Sequence, residues 1–153
     1  RGRGVAVAAL GAELPPVAEP LPVATPAAPY ALRASVWTVD DARAAAAAGA
    51  TEVVYDPFLR HPAPPLARVK ALAAELAGQG VALRLRTPTI VRSDERRTLD
   101  RWLGLGLPVL SGHLGLVAQL AAAGRDVVGD YALNVFNQHT AAELLALGAR
   151  GLT

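Results

Sequence analysis

The chain has 153 residues, 52% of them hydrophobic, with a formal net charge of +2 and neither cysteine nor methionine. That length and apolar content suffice for one domain with a real core and exclude a disordered chain. The charge is too small to call for a nucleic-acid partner, so no DNA is expected, and the missing cysteine excludes disulfides, thiolate metal sites and a cysteine nucleophile within these residues.

Aromatic residues are only 5% of the chain, so the core must rest on Leu, Val and Ile rather than on large rings. Lys70 is the only lysine among fifteen basic residues, a bias that fits a GC-rich genome more than a function. No window reaches the run of roughly 18 apolar residues that a membrane span needs, and a cytoplasmic setting fits. The opening RGRGVAVAALGAELPP mimics a short signal peptide. Without a methionine it reads instead as an internal piece of a longer chain.

Residues 14–29, LPPVAEPLPVATPAAP, hold six prolines. Proline removes backbone donors and blocks helix and central strand alike, so residues 1–30 read as the tail of a preceding region and an extended linker. A rhythm then begins and sets a second region over 31–153. Arg33–Val39 has strand character. The helix that follows takes Asp40 as its N-cap and Gly49 as its stop. TEVVYDP is a second strand, ended by Pro57. Leu66, Val69, Leu72, Ala73 and Leu76 recur at helical spacing up to Gly78 and Gly80. VALRLRTP is a third strand, and SDERRTLDRWLGLG a third helix capped by Ser93. LPVLSGH and LGLVAQLAAAG form the fourth pair. DVVGDYALNVFN holds a fifth strand and HTAAELLALGA a fifth helix. Arg150–Thr153 opens a sixth strand.

Strands alternating with helices every 20–30 residues or so are the spacing of βα repeats in a parallel sheet. A (β/α) barrel needs eight such units. No glycine-rich dinucleotide turn marks a doubly wound sheet instead. The expected fold is therefore α/β, an incomplete TIM-barrel-like fold of about five βα units with parallel strands. Its closing strands would be missing, and open strand edges would promote self-association.

In such folds the site lies beyond the C-terminal ends of the strands. This selects Asp56 after strand two, Arg84 and Arg86 on strand three, His113 after strand four, and Asp130, Tyr131, Asn134 and Asn137 along strand five. Asp56 precedes Pro57, so it either forms a turn or serves the site. Arg84 and Arg86 share one strand face; they either bind an anion or pair with acids inside the barrel. His113 either caps the next helix or contacts a ligand. Ser111 and His113 form no recognised triad pattern, and His61, His113 and His139 lack metal-site spacing. Asn137 either caps the fifth helix or serves a ligand, and Asn134 either bonds within the barrel or does the same.

The stretch from Arg84 to Thr153 resembles the peptidase U32 family, the collagenase-like proteases. Pro88, Ile90 and Arg92 match a P-x-I-x-R segment, and Leu110, Gly112, Leu114 and Gly115 match V-L-x-G-x-L-G. Asp130, Tyr131, Leu133, Asn134, Val135, Phe136 and Asn137 match D-Y-x-L-N-V-F-N, the most specific of the three. His113 departs from the family pattern, where Asn is common. The chain stops where the family's Ser-Pro-Glu-Leu segment begins. The resemblance implies a TIM-barrel-like fold and proteolysis of peptide or collagen-like substrates, with the catalytic residues unassigned. Some members resemble RNA or quinone hydroxylation factors, which implies a 4Fe-4S cluster on cysteines beyond Thr153 and a peptide or RNA partner for the full-length parent. A non-catalytic peptide- or nucleotide-binding barrel is the third expectation. In every case Asp130, Tyr131, Asn134 and Asn137 would belong to the barrel mouth.

Overall fold

The computed structural model describes residues 31–59 and 62–153. Residues 1–30, with the proline-rich segment, and Arg60 and His61 lie outside the described residues.

Six strands form one parallel sheet in sequential order, curled as a half-barrel. They are β1 (Arg33–Val36), β2 (Glu52–Tyr55), β3 (Ala82–Arg86), β4 (Val109–Ser111), β5 (Val127–Gly129) and β6 (Gly151–Leu152). Five helices connect them: α1 (Val39–Ala47), α2 (Leu66–Gly78), α3 (Arg96–Leu103), α4 (Leu114–Ala122) and α5 (Gln138–Ala146). Each strand pairs only with its neighbours in sequence, the order a (β/α) barrel builds by successive addition of units. The fold is the expected α/β one, an incomplete TIM-barrel-like sheet of five βα units and a sixth strand.

Alternation along each strand divides the sheet into two faces. Val53, Tyr55, Leu83, Leu85, Val109 and Val127 point under the helices. There they join Val69, Leu72 and Leu76 of α2, Leu99, Trp102 and Leu103 of α3, and Leu116, Val117 and Leu120 of α4 in one core. Leu72 and Leu76 are almost fully buried, so truncating either to Ala costs on the order of 2–5 kcal/mol. Val54, Leu110 and Val128 form a smaller cluster on the other, concave face. Phe58 meets Trp102 edge-on, with ring centroids 6.2 Å apart, and so ties the loop after β2 to α3.

Helix stops follow backbone chemistry. Gly49 and Gly148 sit at φ +96° and +98°, conformations that a Cβ disfavours. Two starts differ from the sequence expectation. α1 is capped by Thr38, whose Oγ1 accepts from Asp41 N at 3.0 Å, so Asp40 lies inside the first turn. α3 begins at Arg96 behind Glu95, which is already helical and makes no side-chain cap, so Ser93 caps nothing. The strands are also shorter than expected, because pairing stops where the backbone turns toward each helix.

Candidate functional site at the mouth of the half-barrel

The stretch after β5 departs most from the expectation. The strand ends at Gly129, and Tyr131–Leu133 form a 3-10 turn. Asp130 starts that turn and Asn134 ends it at φ 53°, ψ 51°, a left-handed conformation that Asn tolerates better than most residues. Asn137 then caps α5, with Oδ1 accepting from Thr140 N at 2.9 Å. The two asparagines therefore shape the backbone between strand and helix. Asn134 does so by conformation, and not by bonding within the barrel.

Arg84 and Arg86 share the concave face but serve opposite ends of it. Arg84 is buried. Its Nε donates to Glu52 at 2.7 Å, and Nη1 donates to Asp126 and to the Val109 carbonyl, both at 3.0 Å. All three partners stand at the N-terminal ends of their strands, and Arg33 also pairs with Glu52. This lower network leaves Arg84 outside the mouth, a correction to its selection as a site residue. Its charge is satisfied by acids, as a buried cation requires.

Arg86 is at the mouth. Nε and Nη2 donate to Asp130 Oδ2 at 2.9 and 2.6 Å, and the guanidinium carbon lies 5.3 Å from the centre of the Tyr131 ring. Asp130 is buried, and its other oxygen accepts from Tyr131 N at 2.9 Å and from Thr153 Oγ1 at 3.3 Å. Its carboxylate is thus committed to holding Arg86, the 3-10 turn and the residue after β6.

A cavity of about 300 Å³ opens beside this pair, lined by Asp56, Phe58, Leu59, Arg86, Thr87, Pro88, Thr89 and Tyr131. Asp56 Oδ1 accepts from Phe58 N at 2.9 Å and Leu59 N at 3.1 Å, so this residue does form a turn. Its Oδ2 has no hydrogen-bond partner among the described residues, which leaves one carboxylate oxygen for a ligand. Thr87 and Thr89 were not selected from sequence. Hydroxyl-bearing residues in R-T-P-T, just past a strand end, are the signal that could have found them.

His113 is a cap. Its Nδ1 accepts from Leu116 N at 3.1 Å at the start of α4. Ser111 Oγ is buried and takes hydrogen bonds from Thr87 Oγ1 at 2.9 Å and His113 N at 3.2 Å. With the imidazole turned to the helix backbone, Ser111 and His113 form no nucleophile–base pair. The structure thus brings Asp56, Arg86, Asp130 and Tyr131 together, gives His113, Asn134 and Asn137 backbone work around them, and sets Arg84 apart. Two large rings stand open on this side: Tyr131 is 68% exposed and Phe136 87%.

Among the described residues no group of three or more His, Cys, Asp or Glu is placed to hold a metal, and the whole chain lacks cysteine. The residues present therefore do not fit an iron–sulfur cluster, which needs thiolate ligands. No described helix is long and apolar enough to cross a membrane.

No protein-family model matches the chain, and no curated protein matches it. Among solved structures it is similar to the HpcH/HpaI aldolase from Desulfitobacterium hafniense DCB-2, with a TM-score of 0.35 and 14% identity over 76% of this chain and 70% of that one. So distant a likeness says nothing about chemistry.

Proposed function

We propose that this chain is part of a cytoplasmic protein of the peptidase U32, collagenase-like, type, and that the mouth of the half-barrel holds a peptide substrate. The observation that carries the reading is the use made of residues 130–137, its most specific match. Asp130 anchors Arg86, Tyr131 covers the guanidinium, and Phe136 stands open to solvent. A fixed cation suits a peptide carbonyl or carboxylate, and exposed rings suit side chains. Asp56, with its one unpartnered oxygen, is the carboxylate we assign to proton transfer at the substrate.

The test is cleavage of gelatin and casein by the full-length parent and by its Asp56→Asn and Asp130→Asn variants. Cleavage that falls with Asp56→Asn supports the reading. Absence of cleavage, or cleavage indifferent to both changes, contradicts it.

One observation favours a second reading, a barrel that binds a peptide or nucleotide without turnover. Asp130, His113 and Asn137 are all engaged by backbone or by Arg86, so little besides Asp56 remains to do chemistry. Saturable binding without cleavage identifies that case. A hydroxylation factor would need a 4Fe-4S cluster held by residues other than those of this chain, and iron content of the parent distinguishes it.

A further inference from the structure

Tyr55 closes β2 on the face that packs under the helices and is 0% exposed. Its phenol oxygen is the sole buried side-chain polar atom without a hydrogen-bond partner among the described residues. An orphan hydroxyl in a core destabilises the fold unless something else satisfies it. Tyr55 lines a cavity of about 440 Å³ that shares no residue with the mouth cavity.

Trp37, Pro64 and Pro65 supply the cavity's apolar walls, and Arg68 adds a cation. The first turn of α1 supplies its amide edge: Thr38, Val39 and Asp40 line the same space. Asp41 N is already taken by Thr38 Oγ1, whereas the amides of Val39 and Asp40 have no partner within the helix. The acids of that turn are also engaged. Asp40 Oδ1 lies 3.4 Å from Arg43 and 4.0 Å from Arg68, and Asp41 Oδ2 accepts from Thr38 Oγ1 at 2.6 Å.

We propose that this cavity is a second ligand site, for a small carboxylate with an apolar body, in which the Tyr55 hydroxyl and the Arg68 guanidinium receive the carboxylate oxygens. Trp37 and the prolines cover the apolar part. A phenol is a donor at neutral pH, and burial pushes that of Tyr55 up from its ordinary range.

The experiment is a titration of the chain with benzoate, followed by the Trp37 indole resonance, assigned with a Trp37→Phe variant. A saturable shift at millimolar benzoate is expected, weakened about tenfold or more by Tyr55→Phe, as for loss of a hydrogen bond to a charged group. Arg68→Gln, a change at an exposed position, is expected to weaken it too. Tyr55→Phe should melt no lower than the parent chain, because it removes an unsatisfied hydroxyl. No saturable shift, equal binding of benzamide, or binding unchanged in both variants would overturn the proposal. So would a lower melting temperature in Tyr55→Phe with benzoate binding intact, since the hydroxyl would then be held by structural water.

Discussion

Arg86 donates through two nitrogens to a single oxygen of Asp130, reaching from the end of β3 across β4 to the end of β5. The pair spans the concave face where curvature brings alternate strands together. Removing Asp130 leaves a half-buried guanidinium without its partner and frees the 3-10 turn. Asp130→Ala is therefore expected to cost about 3 kcal/mol. The double change Arg86→Leu with Asp130→Leu should cost less than the single one, because it leaves no unpaired charge. Urea unfolding of the single and double variants measures the difference. Equal or additive losses would contradict a mutual dependence.

Gly112 lies between β4 and α4, where an added Cβ would come 2.7 Å from the Ala132 Cβ. The turn after β5 packs directly on this glycine. Gly112→Ala should cost about 1–3 kcal/mol by overpacking, and Ala132→Gly in the same chain should recover much of it. A Gly112→Ala variant as stable as the parent would show that the turn yields freely.

Asn134 and Asn137 should separate by substitution. Asn134→Gly keeps the left-handed conformation and is expected to be close to neutral, whereas Asn134→Val should cost about 1–2 kcal/mol. Asn137→Ala removes a cap and should cost about 1 kcal/mol, while Asn137→Ser or Asn137→Asp should retain most of it. Thermal melts of these variants check both roles.

Tyr55 adds a pH dependence. Its folded phenol ionises above the ordinary value near 10 because burial disfavours the phenolate. A group whose folded value is raised contributes stability below its unfolded value. That contribution is lost as pH rises past about 10 and on through the folded value. The melting temperature should fall as pH rises past about 10, and fall less in Tyr55→Phe. Identical alkaline profiles would show that Tyr55 is not what unfolds the chain at high pH.

The βα rhythm was legible because each unit repeats the same signals: a β-branched or leucine-rich strand, a helix with apolar spacing, and a glycine stop such as Gly49 or Gly148. The mouth was legible in part. Placing sites beyond strand ends picked out Asp56, Arg86, Asp130 and Tyr131, which lie close together in the fold. It also admitted Arg84, because two residues on one face look alike in sequence, while side-chain reach decides which end each serves. Arg84 extends back to Glu52 and Asp126, Arg86 forward to Asp130. The extent of the fifth strand was misread for a related reason. Tyr131, Leu133, Val135 and Phe136 have strand character, but Asp130 and Asn134 favour a turn, and the short 3-10 segment wins. His113 was left between a cap and a ligand contact, and its Nδ1 accepts from Leu116 N at 3.1 Å as a cap.

In the proposed function, the C-terminal mouth of the half-barrel, around Arg86, Asp130 and Tyr131, takes a peptide. Amide chemical-shift mapping of the chain titrated with a soluble gelatin digest tests it most directly. Shifts concentrated at Thr87, Thr89, Tyr131 and Asn134, and lost in Arg86→Met, are the expected result. No shifts, or shifts confined to the lower network at Glu52, Arg84 and Asp126, would contradict it.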